Sequence, residues 1–497
     1  MRHTLFIVLM ATLALAGCTR PQPVRYSRAV IDARMTAWYN KDRCVGFPNA
    51  NSTNGATIPE TAASWDYVPG VVAKGILDVW QYYQDSAWAD AWYLGLAQWA
   101  DSLDKDELNE LVRGGILDDL NCAKVFMGLY EGAKPGGKFE NPEKAAFYME
   151  QMRHAARGLA EHKEKYSIAV SNPDAPVNGG WMHKATDNPE KSYWGQMWCD
   201  GAYMGPALLA QLLAYGACED TGLGWNDVYT QFTASWPYLW DEQQKLPYHV
   251  LFTDVTVNRN ARTICEAGHA YPCAVDSAVY HSEEYWGRAA GWYILALVDV
   301  LEAYMKGLSD EGQCTKELPQ AQNFEILHEY LILLADGLVA RQDPETGCWY
   351  QLLQYGPEKC ATQGIDTTGS AKYTNVEAGG TQCNYLESSA SCLITAALLK
   401  ATRLGLIDHA AAGKKGYEGI VKQFVQSPIA NHQSQITNNL SPITITSSCQ
   451  SAGLSHDRNG TAAYYLIGKD VPIQDNTEGK VLGAFLMAAV EYEKLAD

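Results

Sequence analysis

Beyond residue 17 the 497-residue chain has no apolar run of the roughly 18 residues that a membrane-spanning helix needs. Positive charge is also in deficit, with 38 Lys and Arg against 57 Asp and Glu, a net charge of −19. That balance argues against nucleic acid as a partner and against a polybasic hold on anionic lipid. An acidic substrate would have to meet local donors set against an unfavourable global field. Thirteen cysteines are too few for a disulfide-built scaffold. Their spacings do not repeat as metal knuckles, so neither a metal site nor another cofactor is expected. Alternating strand patterns are scarce.

The N-terminus is a targeting segment. Met1-Arg2-His3 is basic, Leu5 to Leu15 is the length of a signal-peptide core, and Leu15-Ala16-Gly17-Cys18 resembles the lipobox of bacterial lipoproteins. The expected organisation is a signal peptide over 1–17, a lipidated Cys18 with its tether over 18–30, and one domain over 31–497. Loss of Arg2 takes the charge of −19 to −20. The chain is then expected at the bacterial cell envelope, on the periplasmic or surface side of the outer membrane, with lipid as its sole membrane contact. Cys265 and Cys273 share one polar loop and Cys348 and Cys360 another, so each pair is a candidate disulfide. Cys122, Cys199 and Cys392 sit in apolar helical patterns and are expected as core thiols.

Helical periodicity dominates. Phe324, Leu327, Leu331, Leu334 and Leu338 repeat every three or four residues behind Asn323, a candidate N-cap. Another run extends from Tyr385 to Leu404 and stops at Gly405. Helices are expected near 68–83, 86–102, 119–132, 142–163, 198–215, 225–238, 287–306, 324–341, 384–404, 413–427, 456–466 and 479–495. Trp292 to Val298 is apolar on its whole circumference, which suits a helix buried between two layers. Twelve helices with such members make an all-α (α/α)6 barrel of six hairpins the expected fold, ahead of an open solenoid. The polar stretches 254–283, 355–383 and 428–452 are long enough to be lids or binding loops.

Fifteen Trp and 29 Tyr supply flat amphipathic faces suited to sugar rings, although most must be core. Four segments join aromatics to charge. Leu117-Asp118-Asp119-Leu120-Asn121 puts two carboxylates at a helix start, where they also serve as ordinary caps. Gly179-Gly180-Trp181-Met182-His183-Lys184 is a glycine-rich loop ending in a His and a Lys. Asp200 opens an apolar helix between Trp194, Trp198 and Met204. It is either a helix cap or a carboxyl group whose apolar wall tunes it for proton transfer. In Tyr285 to Trp292, Arg288 and Trp292 lie four apart on one helix face. Arg288 is there for a structural ion pair or for a substrate carboxylate.

In this order the segments resemble glycoside hydrolase family 105, the unsaturated rhamnogalacturonyl hydrolases, and their relatives in family 88, the unsaturated glucuronyl hydrolases. The likeness begins at Trp65-Asp66-Tyr67-Val68-Pro69-Gly70. It ends with Gly347-Cys348-Trp349-Tyr350-Gln351, Asn384 to Ala390 and Gly483-Ala484-Phe485-Leu486. It departs from the family pattern in longer loops over His183–Trp194 and 250–283. The resemblance implies an (α/α)6 barrel that uses no metal. It places the catalytic Asp at Asp200 and the second active-site Asp at Asp119, with Asp118 as the competing match. It puts the loop His at His183, and substrate contacts at Arg288, Trp292, Trp198, Tyr67 and His249. It also implies the substrate, an acidic oligosaccharide carrying a 4,5-unsaturated uronic acid, of rhamnogalacturonan or pectin type. The rival readings are an inverting glycosidase acting on saturated oligosaccharides and a lipid-anchored glycan-binding protein.

Overall fold

The computed structural model describes residues 25–31, 67–84, 86–102, 116–171, 177, 179–186, 193–253, 274–276, 279–310, 319–365, 374–426, 443–455, 458–475 and 479–495. Cys18, Trp65, Asp66, Cys265 and Cys273 lie outside these residues, so the lipobox and one candidate disulfide are not part of the described fold.

The helices run in inner and outer pairs. An outer helix at 26–31 precedes inner α1 (Tyr67–Tyr82). Outer α2 (Ala87–Ser102) is followed by an inner helix in two pieces, α3 (Leu117–Asn121) and α4 (Lys124–Ala133). After outer α5 (Pro142–Lys165) the next inner helix is also broken, into α6 (Cys199–Met204) and α7 (Pro206–Ala214). Pro206 has no N–H to continue the α6 ladder, which places the break at Gly205. Outer α8 (Trp225–Leu239), inner α9 (Gly287–Asp310), outer α10 (Pro319–Ala340) and inner α11 (Ser388–Arg403) complete five pairs, and outer α12 (Ala410–Phe424) begins a sixth. A short α13 (Ala462–Ile467) precedes the last inner helix, α14 (Gly479–Lys494). Each inner helix packs on the next, and α14 packs on α1, closing the ring.

The closed toroid matches the expected architecture. The continuously apolar Trp292–Val298 segment is buried in α9 throughout, and each large side chain sunk there contributes about 1.5–3 kcal/mol. Gly405 stops α11 with a φ of 74°, a left-handed conformation that glycine takes without strain. Three expectations need correction. The tether ends sooner than residue 30, because Val30 and Ile31 are core residues and the Ser27 hydroxyl donates to buried Glu493 at 2.6 Å. Asn323 is not a cap, since α10 already begins at Pro319. Cys360 bonds to Cys383, its cross-strand neighbour in the ribbon of Cys360–Thr362 and Thr381–Cys383. Cys348 is instead a buried free thiol, as are Cys122, Cys199 and Cys392.

A small antiparallel sheet crosses one mouth. It comprises β1 (Gln196–Trp198), β2 (Val250–Phe252), β3 (Ala274–Asp276) and β4 (Val279–His281), in the order β1-β2-β4-β3. All the inner helices start at this mouth. The connections between outer and inner helices here are long (240–286, 341–387, 425–478), while those at the other mouth are tight (83–86, 134–141, 215–224, 404–409).

Candidate active site

The site is assembled where β1 runs into α6. In β1, Trp198 pairs with Val250 of β2, and Cys199 N–H donates to the carbonyl of His249 at 3.0 Å. The short sheet thereby ties His249 to the first turn of α6. Asp200 falls in that turn, but it is not a cap. The cap position is Trp198, and no side-chain capping bond is made. Asp200 Oδ2 lies 3.2 Å from Nε2 of His249. The two atoms are close but not aligned, and each is buried without a hydrogen-bond partner. On its far side His249 shares a 2.6 Å hydrogen bond with the Tyr465 hydroxyl through Nδ1. The imidazole is wholly buried, walled by Trp198 at 5.4 Å and Trp286 at 4.7 Å between ring centroids.

The glycine-rich loop supplies the opposite wall. His183 N–H donates to the carbonyl of Gln196 at 2.8 Å, and the buried His162 holds the carbonyl of Met182 through Nε2, also at 2.8 Å. These bonds lay the His183 ring flat on Trp198, with centroids 4.5 Å apart and planes 12° apart. A Cβ on Gly201 would meet His183 Nδ1 at 2.9 Å, so only glycine lets the ring lie against α6.

The carboxylate that meets this histidine is Asp118, not Asp119. Asp118 Oδ1 is 3.4 Å from His183 Nε2, and Oδ2 accepts a hydrogen bond from the Lys184 ammonium. Consecutive helix residues point about 100° apart, so α3 turns just one of the two toward the loop. Burial alone would raise the Asp118 carboxyl, but Lys184 and His183 together hold it below the usual carboxylate range. Burial pushes His183 down to about 4, against the pull of Asp118, so its ring is neutral at neutral pH. Asp118 raises Lys184 in return, more than its burial lowers it.

Arg288 and Trp292 are both buried and engaged by other parts of the barrel. Arg288 is 2% exposed. Its Nε donates to Ser389 Oγ at 2.6 Å, its Nη atoms to Ser448 and to the carbonyls of Cys449 and Gln450, and Glu387 pairs with it at 3.7 Å. Glu387 in turn caps α11 through Ser389 and Ala390 N–H. The guanidinium thus pins residues 448–450 to two inner helices, which is its structural reading. Trp292 is buried against Tyr203, with centroids 4.7 Å apart. Tyr67 opens α1 at the same mouth, half-buried. Among the described residues no group of three or more His, Cys, Asp and Glu side chains could hold a metal ion.

The arrangement therefore offers one carboxylate clamped by a lysine, one carboxyl group beside a histidine, and indole faces between them. The model of glycosyl hydrolase family 88 matches residues 47–376 and 369–496, almost the whole chain. The chain belongs to that family. This glycoside hydrolase is similar in fold to a family 105 glycoside hydrolase from C. acetobutylicum ATCC 824. The TM-score is 0.60 at 23% identity, over 95% of this chain and 100% of the other. It is also similar to the unsaturated glucuronyl hydrolase of Bacillus sp. GL1, responsible for the degradation of glycosaminoglycan. There the TM-score is 0.50 at 14% identity, over 93% and 94% of the two chains. Protein Atu3128 of Agrobacterium fabrum is 28% identical over 217 residues, which is 42% of this chain and 72% of that protein.

Sequence reasoning missed Tyr465 and Trp286 as neighbours of the site. Trp286 stood inside a quoted motif, two residues before Arg288. Tyr465 lies 216 residues from His249 and left no local signal.

Proposed function

We propose that this family 88 hydrolase removes a 4,5-unsaturated uronic acid from the non-reducing end of lyase-generated acidic oligosaccharides, of rhamnogalacturonan or pectin type. The chemistry is hydration of a vinyl ether. Asp200 gives a proton to C4, leaving an oxocarbenium ion at C5. Water adds at C5 while Asp200 takes back a proton, and the hemiketal opens to a keto-uronic acid and the shortened oligosaccharide. One water is consumed, and one carboxyl group acts first as acid and then as base.

The observation that carries this assignment is the difference between the two carboxyl groups. Asp118 is bound by Lys184 and held ionised, so it is a poor proton source at neutral pH. Asp200 has no lysine or arginine partner among the described residues; its neighbour is the imidazole of His249. Asp118 and neutral His183 then orient substrate and water, while Trp198 offers its face to the sugar ring. Lys184, 28% exposed, is the rim cation for the uronate carboxylate, in place of the buried Arg288. Cys18 carries lipid and holds the enzyme at the cell envelope.

The test is incubation with lyase digests of pectin, ulvan and glycosaminoglycan, following the ultraviolet absorbance of the double bond. The expected result is bleaching with at least one digest. Cleavage of saturated oligosaccharides without bleaching would assign an inverting glycosidase instead, and binding without turnover a glycan-binding protein. For the anchor, Cys18→Ser is expected to move the chain from the membrane to the soluble fraction. Unchanged partitioning would remove the lipid.

A further inference from the structure

The opposite mouth of the toroid holds a cavity of about 900 Å3 that takes no part in this scheme. The later halves of the inner helices line it, and none of Asp118, His183, Asp200 or His249 reaches it. Its size is that of a small-molecule site.

Six cationic side chains stand on its wall, and five have a carboxylate partner. Lys74 pairs with Asp78 at 2.6 Å and Lys306 with Glu131 at 3.6 Å. Lys400 pairs with Asp299 at 2.6 Å, while Arg403 and Lys494 share Glu491 at 2.6 and 2.8 Å. The sixth, Lys124, has no carboxylate within ion-pair distance among the described residues. Its side chain is nearly fully buried, 3% exposed. Its ammonium donates to the carbonyl of Tyr203 at 2.8 Å and lies 3.3 Å from the centre of that ring. In its charged form the group has three donors, and among the described residues its hydrogen-bond acceptor is the Tyr203 carbonyl. The nearest carboxylates are already committed, Asp299 to Lys400 and Gln211, and Asp78 to Lys74.

We propose that this cavity is a second binding site, for a small oxyanion that pairs with Lys124. A carboxylate or phosphate there would supply further acceptors and favour the charged form of Lys124. Burial pushes the Lys124 amine well below its ordinary range. Lys74 and Lys400 add to that push, and Asp299 and Asp78 oppose it. The ring of Tyr203 lies under the same nitrogen, and its phenol stays protonated, because burial raises it far above the usual range. Occupation of the site therefore draws a proton onto Lys124.

Calorimetric titration of the full-length protein with galacturonate, galactose and inorganic phosphate tests the proposal. Galacturonate or phosphate is expected to bind and galactose is not. Binding of galacturonate assigns the site to an organic acid, and binding of phosphate alone to the inorganic ion. Buffers of different ionisation enthalpy should report net proton uptake on binding. Lys124→Met should weaken binding at least tenfold and leave turnover unchanged, whereas Asp200→Asn should retain it. The proton uptake is measured on the unaltered protein, so the proposal stays exposed even if Lys124→Met does not fold. Binding with no proton uptake, equal binding in Lys124→Met, or failure of both anions would overturn it.

Discussion

At one mouth of the toroid the inner helices begin and the connections are long; at the other they end in tight turns. The side chains differ in the same sense. The first mouth gathers Asp200 Oδ2, His183 Nδ1 and His249 Nε2, all buried and all without a hydrogen-bond partner. At the second, nearly every charge is matched, and Lys400, Arg403 and Lys494 stand in the last turns of their helices, where the dipole favours cations. An unsatisfied buried polar atom costs about 1–3 kcal/mol. Three in one cluster mean that the fold tolerates unsatisfied polar atoms at the first mouth and largely neutralises charge at the second.

The sharpest way to break this contrast is to exchange the roles of two aspartates. Asp200→Asn is expected to lower turnover by about 10²–10⁴-fold, the usual worth of a general acid–base group. The denaturation midpoint should hardly move, since the Asp200 carboxylate has no capping bond to lose. Near-normal bleaching of unsaturated substrate would take Asp200 out of the mechanism. Asp299→Ala at the other mouth should do the reverse. Removing one partner of a buried pair costs about 3–5 kcal/mol. The low end is expected here because Lys400 keeps Glu302 at 2.6 Å. Urea unfolding should show that loss, with turnover per folded molecule unchanged.

What the sequence disclosed follows the range of each signal. Helical periodicity acts over a few residues, so α1, α5, α9 and the stop at Gly405 were legible to within a few positions. The motif around Asp200 was legible as one unit because β1 and α6 are continuous in the chain. Motif spacing could not separate Asp118 from Asp119, because a one-residue ambiguity is a 100° rotation on the helix. Arg288 was placed on the right helix, yet its acceptors at Ser448, Cys449 and Gln450 come from 160 or more residues away. The partner of Cys360 depended on a ribbon pairing that spacing does not reveal.

Lys184→Met weakens the first mouth without removing its acid. The Michaelis constant should rise about tenfold, about 1.4 kcal/mol, the scale of one lost charged hydrogen bond. Stability should also respond to pH. Asp118 is depressed in the folded state, so its contribution is complete above the usual carboxylate pKa and is lost as pH falls through the lower folded value. Without Lys184 the burial effect gains ground and the acid limb of the stability curve should move to higher pH. Identical urea midpoints for the two proteins across about pH 3–6 would show that the clamp carries no such weight.

The smallest effect is expected one layer further out, at Tyr465. Burial keeps its phenol protonated, raising it well above its ordinary range. The phenol that keeps its proton can donate to Nδ1 of His249, and in that tautomer the ring proton sits on Nε2, facing Asp200 at 3.2 Å. Tyr465→Phe keeps the ring against Trp286 and removes only the hydroxyl, so the imidazole becomes free to exchange tautomers. One hydrogen bond of about 0.5–1.5 kcal/mol translates into a two- to tenfold fall in kcat. The Michaelis constant is expected to stay unchanged, because the hydroxyl removed lies behind a fully buried imidazole. The decisive readout is the pH profile of kcat, which should shift if the tyrosine sets the proton on the histidine beside Asp200. A lower kcat with an unmoved profile would mean that Tyr465 only packs the site.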